Sequence, residues 1–339
     1  MWDNEQKGFI QMNGVEMNSL TEHLKLGTVV KEPVQVKGGL LHKMYRVSTD
    51  KGEYAVKVLN PEIMKHPTAL QNTVNSERIA AAFQSIIPVV AALEINGKQI
   101  HELNGTHYMI FDWVEGASIF PPRITAENCY AIGDVLGKMH HENLAIDGVM
   151  PEEDGTLMFA WDKYQELLQT YENETWATRY RASLSDIKSW NQAACDAQEM
   201  LAKILVISHR DLDPKNVMWN AGAPLIIDWE AAGYVNPYQE FLEVVNYWAD
   251  DGKGGLLKEH FDALFDAYTQ HVKLENVDWN AVFAGSYMGM LGWLEYNVKR
   301  ALGIEAATAD EVQLGKEQVL GTIRELYAYR EKVQVLKRW

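Results

Sequence analysis

The stretch LVISHRDLDPKNVMW, residues 205–219, decides how the rest of the chain is interpreted. Both of its ends are apolar, Leu205–Ile207 and Val217–Trp219, and its middle is polar. This pattern is typical of a loop that is anchored in a hydrophobic core on either side. Within the loop, Asp211 lies two residues after a histidine and five residues before Asn216. A loop of this length allows the carboxylate and the amide to face one point.

Phosphoryl transfer from a nucleoside triphosphate suits this set of residues. The reaction requires positioning, charge neutralisation, a metal ion and one carboxylate that receives the proton of the acceptor hydroxyl. Asp211 can serve as that base, and the amide oxygen of Asn216 can ligate Mg²⁺. Twelve residues after Asn216 the apolar segment LIIDWE places Asp228 at the end of a strand, as a second metal ligand. The stretch HRDLDPKN matches the protein-kinase pattern His-Arg-Asp, four residues, Asn.

Two upstream features agree with this chemistry. In YAVKVL, Lys57 is flanked by strand residues and would contact the α- and β-phosphates; a solvated edge lysine is the alternative. Glu77, on the predicted helix that follows, can pair with Lys57 and orient it, although an exposed helical glutamate fits the pattern too. Gly38 and Gly39 lie between strands and allow backbone amides to approach phosphates, which a plain hairpin turn explains equally well.

The order of predicted elements indicates the fold class. Residues 1–113 show strand patterns around 34–36, 44–48 and 54–59 and one helix at 67–84, with turn signals between them. After Gly116 the pattern is helical, with four final helices near 237–250, 256–271, 279–302 and 308–336. The chain is therefore predicted to be α+β, a protein-kinase-like two-lobe fold. A small β-rich N-terminal lobe (1–113) would precede a larger α-helical C-terminal lobe (114–339).

Charge is distributed unevenly along the 339 residues, whose net charge is −16. Residues 1–113 carry 11 basic and 12 acidic side chains, whereas residues 114–339 carry 20 and 35. Such a field repels nucleic acid and acidic membrane surfaces and attracts cations, although ordinary solubility explains it equally well. With two cysteines, no signal peptide and no long apolar stretch, the sequence predicts a cytoplasmic protein.

At SHRDLDPKNVMW, LIIDWE and NPYQEFLEV the chain resembles the aminoglycoside phosphotransferase and choline kinase family, the small-molecule branch of the protein-kinase-like fold. The family usually has His-Gly-Asp where this chain has Arg210. Trp229-Glu230 in place of Phe-Gly, and the absence of a following Ala-Pro-Glu, argue against a protein kinase. The resemblance implies ATP, or GTP, with Mg²⁺ as cofactors.

The resemblance also implies residue roles. Asp211 is expected to be the general base, Asn216 and Asp228 to bind Mg²⁺, and Lys57 to hold phosphates. The connector Asp112, Trp113 and Val114 is expected to bind adenine through backbone groups.

We expect the acceptor to be a small, cationic molecule with a hydroxyl group. Aromatic faces attract ammonium groups, and carboxylates add charge-assisted hydrogen bonds. The acceptor-side candidates are Glu230, Glu243, Tyr247, Trp248, Asp250 and Asp251. The same segment is also a good amphipathic helix whose apolar residues simply pack in the core. There are two alternative functions. One is a choline, homoserine or sugar kinase, and the other is a non-catalytic nucleotide-binding regulator.

Overall fold

The computed structural model describes residues 14–36, 42–151, 158–171, 173–306 and 308–339. These residues divide into two compact units that each combine separate parts of the chain. The first unit takes the described residues up to Ser118, together with Ala145–Val149 and Lys215–Gly233, and the second takes the others. The sequence analysis assigned residues 215–233 to the C-terminal domain, whereas this segment packs within the first unit.

The first unit is built on a five-stranded antiparallel sheet with the order β1-β2-β3-β5-β4. Its strands are β1 (Val34–Val36), β2 (Lys43–Ser48), β3 (Glu53–Val58), β4 (Ile100–Leu103) and β5 (Thr106–Asp112). Asn104 and Gly105, both with positive φ, form the tight turn between β4 and β5, as the Asn-Gly signal predicts. Helix α1 (Gly14–His23) contributes Met17 and Leu20 to the core beneath the sheet.

Two further helices of the first unit are α2 (Pro61–Met64) and α3 (Ala69–Phe83). The predicted helix at 67–84 corresponds to α3, which begins two residues later.

Backbone hydrogen bonds explain why residues 215–233 belong to the first unit. Strands β7 (Val217–Asn220) and β8 (Ala223–Ile226) form a hairpin. The Trp219 amide donates to the Ala117 carbonyl at 3.0 Å, and the Val90 amide donates to the Ile226 carbonyl at 2.9 Å. These bonds tie both strands of the hairpin to segments near the five-stranded sheet.

The second unit is mainly helical. Its helices are α4 (Ala126–Glu142), α5 (Trp161–Leu167), α6 (Thr175–Leu201), α7 (Pro237–Trp248), α8 (Lys258–Tyr268), α9 (Trp279–Gly285), α10 (Tyr287–Ala301) and α11 (Ala309–Leu336). The short strands β6 (Val206–Ser208) and β9 (Gly233–Val235) flank the segment assigned to the first unit. Thr125 caps α4 through a capping box with Asn128. The single helix predicted at 279–302 is two helices, because α9 ends and α10 begins at Ser286.

Close helix packing organises the second unit. Gly133 of α4 lies against the backbone of α8, where a Cβ atom would come within 2.3 Å of the Leu264 carbonyl oxygen. Helices α6, α9, α10 and α11 share one apolar core. In the part of the chain that the structure describes, no helix combines the length and hydropathy needed to cross a bilayer. The sheet-bearing first unit and the helical second unit confirm the predicted α+β class.

Candidate active site

Lys57 is the penultimate residue of β3, paired with Met44 of β2 and Met109 of β5. Only 9% of the residue is exposed. Its Nζ atom lies 2.9 Å from Asp228 Oδ1 and also forms an ion pair with Glu230. Burial disfavours the positive charge, but the two carboxylates outweigh it and raise the pKa of Lys57. The lysine is therefore held in its charged form by residues 171 and 173 positions further along the chain.

Glu77 does not form the predicted ion pair with Lys57. Its Oε2 atom instead accepts a 2.8 Å hydrogen bond from the Ala92 amide. The residue is 3% exposed, and burial raises the pKa of Glu77 to about 7, although the Ala92 amide and the charge of Lys57 act in the opposite direction. The expectation is corrected because the helix turns this carboxyl group towards a backbone amide, while Asp228 and Glu230 take the lysine.

Glu230 also lies elsewhere than its assignment to the acceptor side requires. It belongs to the first unit, forms an ion pair with Lys57 and lies next to His42, whose Nε2 atom is 3.2 Å from Glu230 Oε1. Burial opposes ionisation, yet the hydrogen bond from His42 and the charge of Lys57 lower the pKa of Glu230 to about 2. The correction follows from the short 3₁₀ helix Trp229–Ala231, which places Glu230 beside the sheet.

Asn216 and Asp228, the two predicted metal ligands, both lie in the first unit. Asn216 ends the 3₁₀ helix Pro214–Asn216 and is 3% exposed. Its carbonyl oxygen accepts a 3.0 Å hydrogen bond from the Ile227 amide, which ties it to the residue before Asp228. Asp228 is exposed and adopts a left-handed backbone conformation with φ 59°. Two oxygen-bearing side chains are thus presented from adjoining segments.

The predicted nucleotide-binding loop and connector are only partly described. Gly38 and Gly39 lie outside the described residues. In the connector, the Trp113 amide donates to the Glu53 carbonyl at 3.0 Å, so this N–H group continues the strand pairing. The Trp113 amide is therefore not available to bind adenine. The backbone contacts expected with adenine are left to the other backbone groups of Asp112, Trp113 and Val114.

Asp211, the predicted base, lies in the second unit within a tightly organised loop. Its amide donates to His209 Nδ1 at 3.3 Å, and His209 is buried. This contact supports the backbone of the loop. Arg210 adopts a left-handed conformation with φ 66°, an uncommon backbone for a residue other than glycine. The Asp211 carboxylate itself is partly exposed.

The buried carboxylate of Glu240 supports the backbone of this loop. Glu240 of α7 is 1% exposed, and its Oε1 atom accepts a 2.6 Å hydrogen bond from the Arg210 amide. Its Oε2 atom lies 2.8 Å from His140 Nε2, and His140 Nδ1 lies 2.8 Å from the Tyr268 hydroxyl. Burial opposes ionisation, but His140, Ser208 and the Arg210 amide outweigh it and lower the pKa of Glu240.

On the acceptor side, Glu243 and Tyr247 lie one turn apart on α7. The Tyr247 hydroxyl donates to Glu243 Oε1 at 3.0 Å. Partial desolvation, with the negative charges of Glu240 and Asp211, raises the pKa of Glu243 to about 7. Burial and the charge of Glu243 raise the pKa of Tyr247 as well. The charge of Asp211 contributes to both shifts, and the acceptor-side role of the two residues stays a prediction.

The other acceptor-side candidates are engaged within the protein. Trp248 is 0% exposed, and its indole N–H donates to the Leu212 carbonyl at 2.8 Å. Asp250 pairs with Lys332 at 2.8 Å. Asp251 accepts backbone hydrogen bonds in the following turn, which lower its pKa. The apolar face of α7 therefore buries Trp248, which is corrected as an acceptor-side residue. The two carboxylates stabilise the turn after the helix, and their acceptor-side role stays a prediction.

Sequence reasoning missed His42, His140 and Glu240. His42 follows the glycine pair and His140 lies in the last turn of α4, so neither position alone indicates a contact. Glu240 lies in NPYQEFLEV, and no role was predicted for it. The available signal was an acidic residue on the apolar side of an amphipathic helix, which requires a buried partner.

Comparisons with known proteins identify the family and the fold. A model of the phosphotransferase enzyme family, APH, matches residues 33–273. No curated protein sequence matches the chain.

Several solved structures share the fold. A spectinomycin phosphotransferase in complex with ADP and spectinomycin aligns with TM-score 0.65 and 13% identity, covering 92% of this chain and 98% of the other. A putative aminoglycoside phosphotransferase from Ralstonia eutropha aligns with TM-score 0.62 and 16% identity, covering 94% and 99%. A microcompartment-associated aminopropanol kinase aligns with TM-score 0.59 and 13% identity, covering 94% and 98%.

These comparisons confirm the protein-kinase-like fold and the predicted family. The family model spans more than half of the chain, and the predicted base and phosphate-contacting lysine both lie within the matched range. The chain therefore belongs to the APH family of phosphotransferase enzymes and is a kinase-like phosphotransferase with a hydroxyl group as its acceptor.

Proposed function

We propose that this protein transfers the γ-phosphoryl group of ATP to a hydroxyl group of a small, cationic molecule, in the manner of an aminoglycoside phosphotransferase. The observation that carries the proposal is the ion pair between Lys57 and Asp228 at 2.9 Å. It joins the lysine expected to contact phosphates with the carboxylate expected to bind metal. A lysine that served only as a surface charge would be exposed to solvent, whereas Lys57 is buried.

Asn216 and Asp228 have the chemistry that Mg²⁺ requires. An amide and a carboxylate provide hard oxygen ligands, and Mg²⁺ in phosphoryl-transfer enzymes keeps waters and substrate oxygens as its other ligands. Among the described residues no group of three or more His, Cys, Asp and Glu side chains is arranged to hold a metal, so a dedicated protein cage is not part of this proposal. When bound, the ion would neutralise negative charge on the phosphates.

Asp211 is proposed to accept the proton of the acceptor hydroxyl. The carboxylate is partly exposed, so a substrate can approach it. Its backbone is held on one side by His209 and, through the Arg210 amide, by Glu240. A base that is fixed in this way loses little orientational freedom when the acceptor binds, which favours proton transfer.

A cationic acceptor is supported by the acidic character of α7 and of the catalytic loop. The pKa of Glu243 is raised chiefly by desolvation, and the negative charges of Glu240 and Asp211 add to this shift. An ammonium group would relieve that repulsion. Similar proteins include a structure with bound gentamicin and kinases described for ethanolamine and aminopropanol.

An amino-alcohol metabolite kinase is the second candidate function. The ethanolamine kinase and the aminopropanol kinase align with TM-scores of 0.56 and 0.59, in the same range as several of the antibiotic phosphotransferases. A non-catalytic regulator is a weaker candidate, because binding alone gives no role to a base such as Asp211.

The test is an ADP-release screen with ATP, or GTP, and Mg²⁺. The acceptors are aminoglycosides, spectinomycin, macrolides, choline, ethanolamine, aminopropanol, homoserine and sugars. We expect release with at least one amine-bearing alcohol and its loss in Asp211→Ala. Release with a neutral sugar alone would contradict the cationic class, and nucleotide binding without release for any acceptor would support the regulator.

A further inference from the structure

We infer that Arg46 is a positioning residue for the nucleobase, because it holds the side chains of Trp113 and Glu115 and thereby fixes the connector that is expected to bind adenine. This inference rests on the proposed function, since it concerns the nucleotide site of that reaction. The side chains that carry it all belong to the first unit, and no role was predicted for Arg46 from the sequence.

The strand register places Arg46 on the same face of the sheet as Lys57. Met44 pairs with Lys57, and Arg46 pairs with Ala55. Alternate residues of a strand share a face, so Arg46 lies two residues, about 7 Å, from the lysine in the direction of the connector. The opposite face is occupied by the buried core residues Tyr45, Val47, Val56 and Val58. The face that carries Arg46 is therefore the one that a nucleotide can approach.

Arg46 contacts both neighbours of Val114 in the connector. Its guanidinium carbon lies 4.4 Å from the centre of the Trp113 ring, and its Nη2 atom lies 3.3 Å from Glu115 Oε1. The Trp113 indole N–H donates to the same carboxylate oxygen at 2.9 Å. The three side chains thus close a ring of contacts around Val114, which restricts the connector backbone at that residue.

Glu53 joins this ring of contacts to the sheet. Its Oε2 atom accepts a 2.9 Å hydrogen bond from Arg46 Nε, and its carbonyl oxygen accepts a 3.0 Å hydrogen bond from the Trp113 amide. Hydrogen bonds from Ser48 and from Arg46 lower the pKa of Glu53, so the carboxylate is ionised at neutral pH. One residue of β3 therefore anchors both the arginine and the start of the connector.

Stability alone does not account for these contacts. The side chains of Arg46 and Glu53 are 39% and 36% exposed, and that of Glu115 is 72% exposed. Ion pairs with this exposure add little to the stability of a folded protein. Ala55, between Lys57 and Glu53 on the same face, is partly exposed and carries only a methyl group. That small residue leaves space for a planar base between the lysine and the arginine.

The test separates binding of the base from binding of the phosphates. ATP is titrated calorimetrically with Mg²⁺, and inorganic tripolyphosphate, which has no base, is measured by competition against ATP. We expect Arg46→Ala to raise the Kd for ATP about tenfold, because the connector loses a charge-assisted hydrogen bond and a cation–π contact. The Kd for tripolyphosphate should change less than twofold. Lys57→Ala should instead raise both Kd values, since the lysine is expected to contact phosphates.

Two further variants distinguish positioning from simple charge. Arg46→Lys keeps the charge but not the planar guanidinium, so it should still raise the Kd for ATP about fivefold. In a Trp113→Ala background, Arg46→Ala should change the Kd for ATP less than threefold, because its partner is already missing. Arg324→Ala, at an exposed position on α11, is the matched control and should stay within twofold of wild type. Thermal unfolding verifies folding, and Arg46→Lys carries the test if Arg46→Ala does not fold.

Three results would overturn the inference. An unchanged Kd for ATP in Arg46→Ala would leave Arg46 with surface ion pairs alone. An equal rise in the Kd values for ATP and tripolyphosphate would make it a phosphate-binding residue, and additive effects of the arginine and tryptophan substitutions would exclude their joint action on the connector. Failure of the wild-type protein to bind ATP would instead contradict the proposed function, whereas wild-type binding with any of these three results contradicts the inference only.

Discussion

Replacing Glu240 by alanine should destabilise the second unit strongly at neutral pH, and less so in acid. The carboxylate is 1% exposed and holds two groups, the Arg210 amide at 2.6 Å and His140 Nε2 at 2.8 Å. Removing this buried carboxylate costs about 3–5 kcal/mol, because two buried hydrogen-bonding groups are left without their partner. For a unit of this size, that loss lowers the Tm by about 6–20 °C.

The pH dependence has a definite sign. The pKa of Glu240 is lowered from its ordinary value of 4.5 in the folded protein. The unfolded chain therefore binds the proton more readily than the folded one. The stabilisation from the carboxylate is complete above 4.5 and is lost as the pH falls through the lowered folded value. The stability difference between wild type and Glu240→Ala should accordingly be largest at pH 7 and shrink in acid.

Urea unfolding monitored by circular dichroism between pH 7 and pH 3.5 measures this difference. Glu240→Gln keeps the size and an acceptor for the Arg210 amide but not the charge, so its loss should lie between wild type and alanine. Glu325→Ala, at an exposed position on α11, is the matched control and should stay within about 0.5 kcal/mol. A loss below about 1 kcal/mol for Glu240→Ala, or a difference that does not change with pH, would refute the reasoning.

Four further outcomes are expected. Gly133→Ala should cost about 1–3 kcal/mol in urea unfolding, because a Cβ atom would lie 2.3 Å from the Leu264 carbonyl oxygen. Gly289→Ala, a helical glycine with nothing within 4 Å of its Cβ, should instead stabilise by about 0.5–1 kcal/mol, and equal effects at the two positions would contradict the packing argument. Asp211→Ala should reduce turnover about 10²–10⁴-fold in the ADP-release assay, and turnover within twofold of wild type would remove its role as base. Asp228→Ala should abolish Mg²⁺-dependent ATP use, whereas unchanged use would exclude the metal role.

Local patterns were sufficient for the elements that carry the site. Strand alternation predicts β2 and β3, which place Lys57, and the Asn-Gly signal predicts the β4–β5 turn. The apolar ends of LVISHRDLDPKNVMW become β6 and β7, with the polar loop between them. These features depend on residues that are neighbours in the chain, so periodicity and turn chemistry report them.

Partners of charged residues were less predictable. The sequence analysis paired Lys57 with Glu77 and assigned Glu230 to the acceptor, but Glu230 lies beside Lys57 and Glu77 bonds to a backbone amide. Each of these side chains has the right charge for either role. Which carboxylate reaches the lysine depends on how a helix rotates and where a short 3₁₀ helix begins, and no residue pattern encodes that over 173 positions.

By itself, the sequence determined the α+β class, the kinase-like order of elements and the identity of the candidate base and metal ligands. Only the tertiary structure decided that residues 215–233 pack with the β-rich unit, that Trp248 is buried and that Glu240 and His140 support the catalytic loop. The physical reason is range: propensity, capping and periodicity act over a few residues, whereas burial and ion pairing depend on which distant segments come to share one low-dielectric environment.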